Sequence, residues 1–448
     1  MGRIPDDNKS RTAGSGLLIE RRTSGREEDP PRDFWGIVQR LGPGMIIAAA
    51  VVGSGELIAT TRTGAEAGFT LLWLILIGCV IKVFVQVELG RYTVVAGQPT
   101  LAALNELPGP RLGVNWVLWY WLVMFIVSLA QLGGIAHGVG QALAMAVPID
   151  GSFVQLMEDQ DAWDSEKTAI ERELAETGRP QAEWASEVRQ RLGRPRPDYG
   201  RPGYEFTDDI AWACLLCVGT IVLLVVGRYA LIQHVCTALV VAFTVVTIFC
   251  VVAIQLQPEW AVGWQEILSG FAFRLPPAVG GLNPLATALA TFGIIGMGTN
   301  ELITYPYWCL EKGYAGYTGP RDESREWADR ARGWMRIMRI DAFGSMIVYT
   351  FATLAFYLLG AAVLHREGLV PAGAEMIEML AEMYVPLFGA WTKWFFLFGA
   401  VAVLYSTFFS ANAGHTRVAA DAVEVFRGRP LSDRARAGWV RAYAVLLP

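Results

Sequence analysis

The sequence predicts an all-α protein that crosses a membrane many times and is built around two broken helices. Three observations lead there. Of 448 residues, 53% are hydrophobic and only 18% charged, whereas soluble domains carry about 25% charged residues. Apolar runs long enough to span a bilayer recur along the chain. Two of these runs, far apart, share an unusual core: Gly53-Ser54-Gly55-Glu56-Leu57-Ile58 and Gly296-Met297-Gly298-Thr299-Asn300-Glu301-Leu302-Ile303. Paired glycines weaken a helix, and a charged residue at the middle of a span costs roughly 2.5–3.5 kcal/mol on insertion scales. A chain that does this twice points to a cation site assembled from two interrupted helices. Secondary transporters with inverted repeats are designed this way, their paired breaks meeting near the bilayer midplane. The plainer reading is chance similarity between helix-packing glycines.

Taken in order, the apolar runs predict eight spans and the start of a ninth. The first covers about Pro43–Ala65 and breaks at Gly53–Glu56. The second covers Thr70–Tyr92, the third Asn115–Met145, the fourth Ile210–Val226 and the fifth Ala230–Ile254. The sixth covers Pro284–Cys309, with its break at Gly296–Glu301; the seventh covers Ala342–Leu364 and the eighth Trp391–Val418. Arg441–Pro448 reads as the opening of another span, so a five-plus-five bundle predicts a C-terminally truncated chain. Residues 1–40 are polar, rich in Pro and Arg, and lack the apolar stretch of a signal peptide; they read as a disordered tail. Residues 41–448 form the transmembrane domain.

Basic residues set the orientation. Arg91, Arg111, Arg228, the run Lys312–Arg339 and the stretch after the eighth span fall in connections that share one parity with the N-terminal tail. The positive-inside rule therefore places the N-terminus in the cytoplasm. The long connection 149–209 is an external loop insertion, of a length that translocates whatever its charge. Within it Trp163, Ile170 and Leu174 mark one amphipathic stretch, and Trp184, Val188 and Leu192 mark another. Together they predict a small helical hairpin, the alternative being an unstructured insert.

Unwound backbone at a break frees carbonyl oxygens, which a membrane tolerates only inside protein or beside a wet cavity. Glu56 and Glu301 add carboxylates; Ser54, Thr299 and Asn300 add neutral oxygens; Met297 adds a thioether. Oxygens alone suit Mg²⁺, Ca²⁺ or Mn²⁺, and a thioether biases toward softer metals. Helix N-termini after each break favour anions, so an anionic organic solute competes as substrate. Among the six cysteines, Cys214 and Cys217 form a C-x-x-C pair, read as core thiols. His137 reads as a packing or pore-lining residue, and His234, His365 and His415 as interfacial. Lys82 and Glu88 read as snorkelling side chains or a cytoplasmic-side polar network, and Asp341 as the cap of the seventh span.

The chain resembles the natural resistance-associated macrophage protein (Nramp) family of divalent-metal transporters. Gly42-Pro43-Gly44 and Gly53–Glu56 fall on that family's Gly-Pro entry and Asp-Pro-Gly-Asn motif. Gln86, Leu89, Gly90 and Gly97 echo its second helix, Met297–Asn300 its Met-Pro-His-Asn motif, and Ser406-Thr407 and Ala413-Gly414 its eighth helix. The resemblance implies a LeuT-like inverted-repeat helix bundle. Met297 matches the metal-binding methionine, and Ile294 sits where a backbone carbonyl meets the ion. Gly53 replaces the metal-binding Asp, and Glu56 falls on the metal-binding Asn. Thr299 replaces a histidine linked to proton movement. The implied metal ligands are Glu56, Met297 and Ile294; Glu301 reads as a further metal ligand, a partner of the ligands or a proton carrier, and Gly53, Ser54, Gly55, Gly296, Gly298, Thr299 and Asn300 line the breaks.

The expected function is transport of a divalent metal cation, Mn- or Fe-like or Mg²⁺, across the inner (plasma) membrane, as a symporter if protons are coupled. The metal is substrate, and no resident cofactor or nucleic-acid partner is expected. The alternative is a transporter of amino acids or other organic solutes on the same fold. A membrane enzyme is not expected, because no His-rich metal motif, nucleophile–base pair or phosphate loop is present.

Overall fold

The computed structural model describes residues 27–53, 55–177, 181–200, 202–276, 284–296, 299–322, 324–370, 374–382, 385 and 389–448. Those residues are helical almost throughout; the exception is a two-residue antiparallel ladder, β1 (Arg111–Leu112) with β2 (Val114–Asn115). Among the described residues, six helices are long and apolar enough to cross a membrane: α4 (Leu72–Ala96), α6 (Trp116–Ala146), α9 (Asp208–Val226), α10 (Tyr229–Gln255), α15 (Arg325–Leu359, continued by a π-helical turn Gly360–Leu364 and α16, His365–Glu367) and α18 (Trp391–Arg427). They correspond to the second, third, fourth, fifth, seventh and eighth expected spans. The first and sixth are divided into short pieces. α1 (Phe34–Arg40) bends by 54° into α2 (Pro43–Val51), and a π-helical turn, Gly55–Thr60, leads into α3 (Thr61–Ala67). After α5 (Thr100–Asn105), α7 (Ser152–Glu176), α8 (Gln181–Leu192) and α11 (Trp264–Ser269), the sixth consists of α12 (Pro284–Gly296) and α13 (Thr299–Lys312). α14 (Tyr314–Thr318), α17 (Ala374–Glu382) and α19 (Asp433–Leu446) complete the described helices.

The chain divides into two compact units, and α6, α9 and α18 each run through both. The first contains residues 1–135, 218–372 and 402–448. In it α4 packs against α12, α13 and α15, and α2 packs against α10, α13 and α15. An apolar cluster of Leu101, Leu118, Trp121, Phe125, Ile303, Tyr307 and Val418 joins α5, α6, α13 and α18. Two turns pass each other with their backbones nearly touching: a Cβ on Gly360 would collide with the Thr61 carbonyl, and one on Gly64 with the Tyr357 carbonyl. Only glycine permits that approach.

Two expectations change here. The basic stretch before the seventh span is not a loop from Arg325 onward. Ser324 caps it, its Oγ accepting from Trp327 N at 3.0 Å, and the helix runs unbroken from there. Asp341 therefore lies mid-helix and caps a different helix, as described below. Within the expected tail, residues 27–40 are held in place. Trp334 Nε1 donates to Glu28 O at 2.9 Å, and the Arg40 guanidinium lies over the Tyr317 and Trp334 rings. Residues 1–26 lie outside the described residues.

The second unit contains residues 136–217 and 373–401. Here α7 and α8 form the hairpin. Leu174, Val188 and Leu192 are its buried core, with Trp163, Ile170 and Trp184 packed around them, the same six side chains that the periodicity marks. Arg196–Asp164 and Arg191–Glu173 ion pairs, at 2.6 and 2.8 Å, lie on its surface. Among the described residues the cysteines form no disulfide.

Candidate functional site at two interrupted helices

At the first interruption the backbone hydrogen bonds are rerouted. Val52 N still bonds Ala48 O, at 3.0 Å. The next amide, Gly53 N, donates instead to the Glu56 carboxylate, 3.0 Å from Oε2. Helical bonding resumes with Leu57 N donating to Gly53 O at 2.8 Å. A carboxylate three residues on that reaches back to an amide at the helix start is one half of a capping box. Glu56, only 3% exposed, thus holds the bend as well as supplying charge.

The carbonyls freed at the end of α2 face two hydroxyls of α18. Thr407 Oγ1 lies 3.1, 3.2 and 3.0 Å from the carbonyl oxygens of Ala49, Ala50 and Val52. Ser406 Oγ lies 3.1 Å from Ala49 O and 3.3 Å from Val52 O. Each hydroxyl has one proton and each carbonyl two lone pairs, so acceptor capacity is left over for a cation or water. A Cβ on Gly53 would overlap Thr407 Oγ1. The glycine thus lets α18 approach closely enough for its hydroxyls to reach the break. Sequence reasoning placed Ser406 and Thr407 only by resemblance; the visible signal was adjacent hydroxyls inside an apolar helix.

The expected second break falls between α12, described to Gly296, and α13, described from Thr299. Met297 and Gly298 lie outside the described residues, as does Ser54 in the first break and as do the side chains of Ile294 and Thr299. Asn300 is buried; its Nδ2 donates to Ser128 Oγ on α6, and its Oδ1 has no partner. Glu301 is half-buried in the first turn of α13, where the helix N-terminus favours a carboxylate.

The π-helical turn packs on α12 and α15. Glu56 and Glu301 thereby come within electrostatic reach of each other and of Lys82 on α4. Lys82 does not snorkel: it is 2% exposed, and its Nζ lies 5.5 Å from the centre of the Tyr349 ring. Glu88, by contrast, faces outward and pairs with Arg91 at 2.5 Å. His415 is not interfacial but buried, edge-on to Phe125, with Nδ1 unpartnered. His137 Nδ1 lies 3.6 Å from Asp209 Oδ2 in the second unit. Among the described residues no three His, Cys, Asp or Glu side chains converge to hold a metal.

Comparison with known proteins gives the lineage. The profile described as "Natural resistance-associated macrophage protein-like" matches residues 206–447. The divalent metal cation transporter MntH of Mycobacterium tuberculosis (strain CDC 1551 / Oshkosh) is 33% identical over 107 residues, 24% of this chain and 24% of that protein. The metal transporter Nramp6.2 of Populus trichocarpa is 29% identical over 113 residues, 25% and 19% of the two chains. These matches span about a quarter or less of the relatives' own length. Among solved structures, a manganese transporter of Eremococcus coleocola in complex with an aromatic bis-isothiourea substituted compound superposes with a TM-score of 0.59 at 15% identity, covering 95% of this chain and 73% of that one. The structural likeness establishes the fold, a LeuT-like helix bundle, and the profile match adds the lineage. The chain belongs to the natural resistance-associated macrophage protein-like family.

Proposed function

We propose that this protein is a secondary transporter carrying a divalent metal cation across the plasma membrane, with its N-terminus in the cytoplasm. One observation carries the reading: the buried Glu56 and the half-buried Glu301 stand within electrostatic reach of each other, beside backbone carbonyls at an interrupted helix whose hydrogen-bonding capacity is not filled. Carboxylates and carbonyls are the donors that hard or borderline dications take. The family's relatives include proteins named as divalent metal cation transporters, which favours a metal over an organic solute. Met297, at the second break, supplies the thioether that would extend the range toward Mn²⁺ and Fe²⁺. Ile294 would offer its carbonyl there. Gly53, Gly55, Gly296 and Gly298 permit the interruptions, and Ser54, Thr299 and Asn300 line them.

Titration calorimetry on the purified protein with Mn²⁺, Mg²⁺ and a panel of amino acids tests the proposal. Saturable binding of a dication, lost in Glu56→Gln, supports it. Binding of an amino acid with no response to either metal would overturn it.

A further inference from the structure

The substrate reading accounts for two carboxylates but not for the ammonium beside them. Lys82 is the eleventh residue of the 25-residue helix α4, far from either end, and is sealed from solvent. A buried ammonium costs several kcal/mol unless it is paired. Its one aromatic contact, Tyr349 on α15, returns about 0.5–2 kcal/mol, too little to hold it there. The helices packed on α4 narrow the choice of counter-charge. α12 (Pro284–Gly296) contains no ionisable residue; on α15, Tyr349 is neutral at ordinary pH and the buried Asp341 is taken up by Gly42, Gly44 and Tyr305. α13 contributes Glu301, its Glu311 being paired with Arg417, and the π-helical turn, packed on α12 and α15, contributes Glu56. These are the carboxylates with which Lys82 interacts. With both carboxylates and the ammonium charged, the cluster sums to −1, so an arriving dication meets a site already half-neutralised.

We propose that Lys82 is a tethered counter-cation of the substrate site: it balances Glu56 and Glu301 when the site is empty, competes with the incoming dication for them, and so sets how tightly the metal is held and how readily it leaves. The inference rests on the metal-transport reading and deepens it. A transporter gains from such a competitor, because two uncompensated carboxylates in a low-dielectric cavity would bind a dication too tightly to release it. A lysine suits this role better than an arginine, being a compact charge on a flexible stem that can draw back along its own helix.

The test is calorimetric binding of Mn²⁺ and Mg²⁺ to the full chain and its variants. Lys82→Met and Lys82→Gln should bind both ions about tenfold tighter or more, because one unit of competing positive charge is gone. Their thermal stability without metal should fall, and the stabilisation that metal confers should grow. Lys82→Arg, which keeps the charge, should not show that tightening. The double variant Lys82→Met/Glu301→Gln restores the net charge of −1, so its thermal stability without metal should return toward the parent's. Equal or weaker metal binding in a folded Lys82→Met overturns the inference while the parent's binding leaves the metal reading intact. A parent that binds no dication overturns the metal reading and this inference with it. Should Lys82→Met fail to fold, the double variant, its charge rebalanced, must fold; its failure to do so also overturns the inference.

Discussion

Asp341 offers a perturbation whose size can be worked from the structure. It sits mid-helix in α15, 4% exposed, and holds the N-terminus of α2. Gly42 N donates to its Oδ1 at 2.8 Å, Gly44 N to its Oδ2 at 2.5 Å, and Tyr305 OH to Oδ2 at 3.2 Å. A carboxylate at a helix start bonds otherwise orphaned amides and meets the positive end of the dipole. Asp341→Ala leaves two buried N–H groups unpaired, at about 1–3 kcal/mol each. Water entering the space vacated would recover part of this, leaving a net loss of about 3 kcal/mol. Soluble domains of 150–250 residues lose about 2–4 °C in Tm per kcal/mol, and longer chains less. We therefore expect thermal unfolding in detergent to fall by about 4–6 °C. Asp341→Asn keeps the shape and one acceptor oxygen, and should lose about half as much. Tyr305→Phe removes the least of the three bonds and should cost no more than about 1 kcal/mol. A Tm for Asp341→Ala within about 1 °C of the parent would refute the reasoning.

Other outcomes follow from the same geometry. Glu56→Gln should abolish dication binding in calorimetry, and Met297→Ala should weaken Cd²⁺ more than Mg²⁺; unchanged affinities for every ion would place the site elsewhere. Thr407→Val leaves the carbonyls of Ala49, Ala50 and Val52 with one hydroxyl, and should lower thermal stability by about 1–3 kcal/mol, whereas a neutral effect would mean that water already serves them. Maleimide added from outside the cell should label Ser165→Cys and not Glu326→Cys; the reverse would invert the proposed orientation. Burial raises the Tyr199 phenol above its usual range, and its OH donates to Asp209 at 2.9 Å. A group with a raised folded pKa stabilises fully below its unfolded value and loses this as pH climbs through the folded one. Proteolysis in the segment 194–204 should therefore stay flat between about pH 7 and 9 and rise only above about pH 10; acceleration already near neutral pH would contradict it.

Some of this was legible in the sequence and some was not, for physical reasons. Spans such as α10 announce themselves by unbroken apolarity, and Glu56 and Glu301 stand out because a carboxylate in such a run has no cheap explanation. The hairpin of α7 and α8 was readable from its four-residue spacing, since one face meets water and the other its partner helix. The direction of Lys82 was not readable. A membrane helix is apolar toward both lipid and protein, so its pattern does not say which face turns inward. The partners of Asp341 were equally hidden. Gly42 and Gly44 lie 299 and 297 residues away, and a mid-helix aspartate looks the same in sequence whether it caps its own helix or another.

The π-helical turn Gly55–Thr60 has a consequence for how this chain can vary. An α-helix advances about 100° per residue, and a π turn accommodates one residue more than the α-helical path it replaces. It therefore takes up a residue without turning the helix beyond it, its 6 residues sweeping about the angle that one fewer would sweep in an α-helix. Deleting one residue from the turn would let it relax to ordinary winding and leave Gly64 against the Tyr357 carbonyl. The helix just beyond has no such slack. Deleting a residue between Thr61 and Gly64 would rotate the chain beyond by about 100° and drive a side chain such as Ala65 into the place where two backbones now nearly touch. Homologous chains should therefore vary in length within Gly55–Thr60 and not between Thr61 and Gly64.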